Sequence, residues 1–320
     1  MSPVTQAQIG DEIVRPSDWK TIRALPLFSG MSEANFDELI TAAFLQRFPQ
    51  HMTLINEGSL PDFLIIGAPK CGTTSLFEYL CGHPDLARPT RKEIHYFDEN
   101  FERGLAWYRR HFPVVVKPQI TGEATTAYLF APAAPARAAA LLPDAKIIAV
   151  LRDPVRRVLS HYWHNHRRGR VRGDFESYFR EALSSNAERE TNQARQFIHY
   201  PVQWGFYKEQ IERWFAHFPR EQFLFLRFED LASDGAVETR KVFEFLGLPP
   251  AATDTGKVFN AGPSYPVEAN DVTRQLADIY RNRNAGLDRL IGAQFTWDRC
   301  ETPRGETADH KAAHPATIIA

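Results

Sequence analysis

Three cysteines in 320 residues, Cys71, Cys81 and Cys300, are too few and odd in number for a disulfide framework. They fit a reducing compartment, and a cytoplasmic location is the expectation. A charge excess is lacking too: 38 lysines and arginines face 39 aspartates and glutamates, a net charge of −1. The whole-molecule field therefore gives no reason to expect nucleic acid, and anion binding must come from local clusters. No apolar run approaches the roughly 18 residues that a transmembrane helix needs. The opening MSPVTQAQIGDEIVRPSDWK has no basic stretch followed by an apolar core, so no secretory signal is expected. No His/Cys cluster has zinc spacing, and no metal is expected. What is there is 43% hydrophobic and 12% aromatic, ample for one large core with a small appendage.

Two rhythms divide the chain. In residues 1–62, Phe36, Leu39, Ile40, Ala43 and Phe44 fall at helical spacing, and NEGSLPD (56–62) is a turn-rich break. This part reads as a helical N-terminal extension. The stretch LPLFSGMSEANFDELITAAFLQRFPQHMTLINEGSLPDFL (25–64) resembles the opening of a cyclic-nucleotide-binding domain. The β-roll that such a domain needs has no room before Phe63, so the extension is expected not to bind. Covering the core, forming a lid and pairing subunits into a homodimer stay open. From residue 63 the pattern changes. FLIIG (63–67), KIIAVL (146–151) and FLFLRF (223–228) read as buried strands. They alternate with helices at 73–82, 153–166 and 207–218, with more at 237–248 and 271–291. Asp153 is the N-cap of the second, with Pro154 at its first position. The alternation predicts an α/β domain over 63–300, a parallel sheet flanked by helices. The polar tail 301–320 comes after it.

The stretch GAPKCGTTSL (67–76) nearly matches the phosphate-binding pattern GxxxxGK[ST], but Thr73 follows Gly72 and the lysine is Lys70, inside the loop. Backbone N–H groups around Cys71 and Gly72, at a helix N-terminus, favour an anion. Thr73, Thr74 and Ser75 add hydroxyls. The bland alternative is an ordinary strand-to-helix turn. PKCGTTSL resembles the 5′-phosphosulfate loop of the sulfotransferases that use 3′-phosphoadenosine 5′-phosphosulfate. LRDPVRRVLSHYW (151–163) resembles that family's 3′-phosphate segment, which puts Arg152 and Ser160 on the 3′-phosphate. An arginine fork suits phosphate, and eight residues of offset is about two helical turns. The resemblance covers roughly residues 63–300 and implies a P-loop-like fold. It also implies sulfuryl transfer without a metal.

RKEIHYFDE (91–99) resembles the KExHFF-type segment of the heparan sulfate glucosaminyl sulfotransferases. The resemblance makes Glu93 the base on the acceptor, with His95 beside it; by their chemistry either Glu93 or His95 can take the acceptor proton, and Lys70 can stabilise charge on the leaving phosphate. In an extended stretch, residues 93 and 95 would face one cleft. Structural roles for both remain open. Two departures stand out. Ala124 follows Glu123 where the glucosaminyl group has a lysine, and KVFNAGPSYP (257–266) lacks a Gly-Arg pair. Tyr265 there is a candidate for packing on the nucleotide. A heparan-like acceptor is therefore not implied; a sugar, lipid, phenol or small metabolite stays open. From Pro154 to Gly173 there is no acid but six arginines and three histidines. These read either as a solvated face or as an overhang for the cofactor or an anionic acceptor. Two other functions are weighed against the sulfotransferase: a P-loop-type kinase, and a catalytically idle binding or regulatory protein.

Overall fold

The computed structural model describes residues 58–184, 200–257, 259, 270–295 and 297, with shorter stretches between residues 12 and 45. The chain divides into two units, 1–56 and 57–320. In the first, helix Glu33–Thr41 carries the buried Phe36, whose ring meets Phe28 edge-on at 5.6 Å. Glu12–Ile13 pairs antiparallel with Phe44–Leu45. The helical spacing read through Phe44 therefore overshoots. The described helix ends at Thr41, and Phe44 is opposite Ile13 in a backbone ladder.

The second unit is built on a five-stranded sheet. Its strands are β1 (Phe63–Gly67), β2 (Leu86–Ala87), β3 (Ile120–Ala124), β4 (Lys146–Leu151) and β5 (Phe223–Arg227). The order is β2-β3-β1-β4-β5, and every pair is parallel. Parallel strands need crossovers that cover both faces, which is why β1 and most of β4 are apolar throughout and buried. The sequence hides β3. Its ITGEA carries no apolar run, and Gly122 is there because a Cβ would sit 2.4 Å from the Phe63 ring on β1.

Three helices position the site: α1 (Thr73–Leu80), α2 (Pro154–Arg167) and α3 (Tyr207–Phe215). Asp153 caps α2 as expected, accepting from Arg156 N at 2.9 Å. The stretch read as one helix over 271–291 is two, Asp271–Arg283 and Leu287–Ile291, broken where Gly286 takes φ 81°. Among the described residues, no helix is long and apolar enough to cross a membrane. The loops after β1, β3 and β4 all leave from one edge of the sheet, since the strands are parallel. Open α/β sheets bind ligands at that edge.

Candidate active site

The loop after β1 is shaped by close approaches. A Cβ on Gly67 would come within 2.6 Å of the Val150 carbonyl oxygen on β4. Gly72 has φ 80°, and a Cβ there would meet the Phe228 ring at 2.8 Å. α1 starts at Thr73, and Gly72 supplies no side-chain cap. The first N–H groups of α1 are thus left for a ligand, at the positive end of the helix dipole. The Cys71 thiol is turned into the core, 4.0 Å from the Tyr207 hydroxyl, and burial pushes its pKa up to about 11. Thr73 is buried and Thr74 half-buried. Ser75 Oγ accepts from Phe259 N at 3.1 Å, pinning that late segment to α1.

Lys70 bends back with φ 74°, its ammonium 3.4 Å from Nδ1 of His164 on α2. Burial lowers the Lys70 pKa, and the charges of Arg152, Arg167 and Arg168 lower it further. His164, which the sequence marks only as part of a basic run, is pushed down to about 4 by burial and then by Lys70 and nearby arginines. The imidazole is therefore neutral. Among the described residues no carboxylate pairs with Lys70. Arg152, at the end of β4, donates through Nη1 to the Lys70 carbonyl at 2.9 Å and lies over the Phe228 ring at 4.3 Å. Its Nε is buried without a partner. Ser160 is half-buried on α2, two turns on. Tyr265 lies outside the described residues.

The basic run divides in two. Arg157 and His161 are fully buried, while Arg167, Arg168, Arg170 and Arg172 are exposed around the C-terminus of α2. Part of that run is thus core rather than a solvated face. Arg167 and Arg168 act on both Lys70 and His164, and Arg170 on His164, so the cationic field extends past the loop.

Glu93 and His95 do converge, but not by strand alternation. The segment is irregular, and both residues are left-handed at φ 57°. Their side chains approach to 3.7 Å. Glu93 N donates to the Ala124 carbonyl at 3.0 Å, and the Glu93 carboxylate accepts from Thr126 N at 3.1 Å and from Lys92. His95 Nδ1 lies 2.9 Å from Asp98, whose side chain is wholly buried and whose Oδ1 has no partner. Burial works against the imidazolium, but the Asp98 hydrogen bond and charge, with Glu93 and Glu99, hold the His95 pKa above its usual value. Nδ1 being taken, Nε2 faces Glu93. Asp98 was not singled out from sequence; its position three residues after His95 was the available signal. Among the described residues, His95, Asp98 and Glu99 are the one set offering three possible metal-ligand atoms, within 4.8 Å of one another.

Glu123, on β3, is buried beneath this segment. Burial pushes its pKa up to about 7, against the pull of hydrogen bonds from Tyr108, Thr125 and Tyr128.

The arrangement can do two things. Cationic and N–H donors gather around Lys70, Arg152 and the start of α1, which fits a phosphate-bearing nucleotide. A carboxylate beside an oriented imidazole can take a proton.

Comparison with known proteins agrees. A solved sulfotransferase from Alicyclobacillus acidocaldarius matches with a TM-score of 0.65 and 31% identity, covering 75% of this chain and 100% of that one. Heparan sulfate glucosamine 3-O-sulfotransferase 3A1 of Mus musculus is 36% identical over 271 residues, 77% of this chain and 67% of that protein. Heparan sulfate glucosamine 3-O-sulfotransferase 6 of Homo sapiens is 33% identical over 269 residues, 74% of this chain and 73% of that protein. The chain spans about two thirds of the length of the 3A1 and 3B1 relatives, at 67% and 65%. With the sulfotransferase domain model matching residues 60–260, in the same stretch that folds into the parallel sheet and its loops, the chain belongs to the sulfotransferase family.

Proposed function

We propose that the protein moves a sulfuryl group from 3′-phosphoadenosine 5′-phosphosulfate to a hydroxyl or amine of an acceptor of the sugar, lipid or small-metabolite kind. The observation that carries the donor assignment is the meeting of Lys70, on the loop after β1, with Arg152, at the end of β4, with an orphaned buried Nε on Arg152 and, among the described residues, no carboxylate to neutralise Lys70. Such a cluster is costly without an anion and fits a nucleotide bearing phosphate at two positions. When bound, the donor supplies a sulfur whose bond to the bridging phosphate oxygen breaks as the bond to the acceptor atom forms. Lys70 and the first N–H groups of α1 hold the 5′ side and carry the charge that develops on the leaving phosphate. Arg152 and Ser160 hold the 3′-phosphate. Glu93 takes the acceptor proton; His95, fixed by Asp98, orients Glu93 and the acceptor.

The relatives are named for transfer to glucosamine in heparan sulfate. This chain has Ala124 where the glucosaminyl pattern has a lysine, so the same acceptor does not follow. The test is transfer of radiolabel from sulfate-labelled donor to heparan sulfate, chitosan oligomers and p-nitrophenol, alongside calorimetry with adenosine 3′,5′-bisphosphate. Label should move to at least one acceptor and the nucleotide should bind. Absence of both would overturn the reading.

A further inference from the structure

Glu123 is the one acidic residue in the five strands of the sheet. It sits opposite Leu64 of β1, fully buried, where an apolar side chain would avoid the cost of desolvating a carboxyl. Its two oxygens collect three hydroxyls. Tyr108 and Tyr128 donate to Oε1, the latter at 3.1 Å, and Thr125 donates to Oε2 at 2.9 Å.

Each of those groups then reaches the segment that carries Glu93 and His95. Tyr128 Oη accepts from Tyr96 N at 2.8 Å and Phe97 N at 3.4 Å. Thr125 Oγ1 accepts from His95 N at 3.5 Å. The Tyr108 ring stacks on Tyr96 at 4.2 Å with 10° between planes. The direction of the protons matters here. When ionised, Glu123 can only accept, so the Tyr128 and Thr125 hydroxyls spend their protons on it and turn their lone pairs to the backbone N–H groups. The N–H groups of three consecutive residues are thereby fixed from below.

We propose that Glu123 is a positioning residue for acceptor deprotonation: through Tyr128 and Thr125 it sets the backbone of residues 95–97, and so the placement of the His95 imidazole against Glu93. It touches no substrate. Glutamine in its place would turn an N–H₂ either to the two tyrosine hydroxyls or to that of Thr125, leaving at least one buried hydroxyl proton without its acceptor and loosening the turn above. A misplacement on the order of 1 Å at a reacting group costs about 10²-fold in rate.

The inference rests on the reading of Glu93 and His95 as the acceptor machinery. Its test uses the full chain with Glu123→Gln, Tyr128→Phe and, as a destabilised control away from this network, Val242→Ala. One readout needs no acceptor: NMR titration of the His95 imidazole with adenosine 3′,5′-bisphosphate bound. Asp98, Glu93 and Glu99 are the charges that raise its pKa, and Glu123 is not among the main ones. A shift of about half a unit or more toward the free value in both network variants, and none in the control, therefore reports displacement rather than lost charge. Single-turnover transfer to the acceptor that the wild type sulfates should fall at least ~10-fold in both, with nucleotide affinity nearly unchanged. If Glu123→Gln does not fold, Tyr128→Phe decides alone, since it removes one oxygen and no charge. Wild-type His95 titration and turnover in the folded variants would overturn the inference. Failure of the wild type to bind nucleotide or transfer label would instead overturn the sulfotransferase reading beneath it.

Discussion

Arg152→Gln should erase most of the protein's preference for adenosine 3′,5′-bisphosphate over 5′-AMP. The guanidinium is held on two sides, by the Lys70 carbonyl on Nη1 and by the Phe228 ring beneath. Nε, buried and unpartnered, is left to give. Hydrogen bonds to charged groups are worth about 1.5–3 kcal/mol, which at 1.4 kcal/mol per decade is roughly a 10- to 150-fold loss in bisphosphate affinity. 5′-AMP lacks the 3′-phosphate, so its affinity should change only through Lys70. Glutamine keeps an N–H₂ for the Lys70 carbonyl and removes the cation. Losing that cation relieves part of what lowers the Lys70 pKa, which if anything strengthens the grip on the 5′-phosphate. The informative quantity is therefore the ratio of the two dissociation constants, measured by calorimetry at one fixed salt concentration. A wild type that binds the two nucleotides equally, or a variant whose ratio matches the wild type, refutes the 3′-phosphate assignment of Arg152.

Three other outcomes are expected. Glu93→Gln should lower single-turnover transfer by ~10²–10⁴-fold with bisphosphate affinity unchanged, and His95→Ala should cost less; the reverse ranking would move the base role to His95. Gly72→Ala should weaken nucleotide binding and lower the melting temperature together, because its φ of 80° costs an L-residue about 1–2 kcal/mol and its Cβ would press on Phe228; an unchanged melting curve would remove the strain argument. Glu123, with a folded pKa raised from 4.5 to about 7, holds a proton that the unfolded chain has released over that interval. Its contribution to stability is thus greatest below the unfolded pKa and falls as pH rises toward 7, by about 3 kcal/mol at most. Glu123→Gln should remove that downward slope in denaturant melts between pH 4.5 and 7, and a slope equal to the wild type's would show that the carboxyl is not titrating there.

Much of the scaffold is legible in the sequence, for a physical reason. β1 and β4 are buried on both faces, so they read as unbroken apolar runs, and α2 announces itself through Asp153 and Pro154. β3 is illegible because the demands on it are not apolar: Gly122 makes room for Phe63, and Glu123 serves the hydroxyls above it. The site is legible wherever a motif is contiguous, as around Lys70. Period-2 reasoning brought Glu93 and His95 to one cleft, yet the backbone gets there by two left-handed residues. Asp98 and His164 escaped because their relevance lies in what they face, Nδ1 of His95 and the Lys70 ammonium. No spacing rule encodes those contacts.

The left-handed residues have a common logic. Lys70, Glu93 and His95 are the non-glycine positions with positive φ among the described residues, and they are the same three to which the chemistry is assigned. A non-glycine residue held there costs on the order of 1–3 kcal/mol and persists only where the surroundings over-determine it. Here they do. Arg152 donates to the Lys70 carbonyl; Ala124 and Arg91 hold the two ends of the Glu93 backbone; Thr125 and Asn100 hold those of His95. Several of these clamps begin on the sheet: Arg152 follows β4, Ala124 ends β3, and Thr125 follows it. Strain at these three positions is thus balanced by the most buried part of the fold, which keeps Lys70, Glu93 and His95 from relaxing toward commoner backbone states. Stability and pre-organisation are coupled through that sheet edge, and substitutions in β3 and β4 that soften it should reach turnover before they reach the fold.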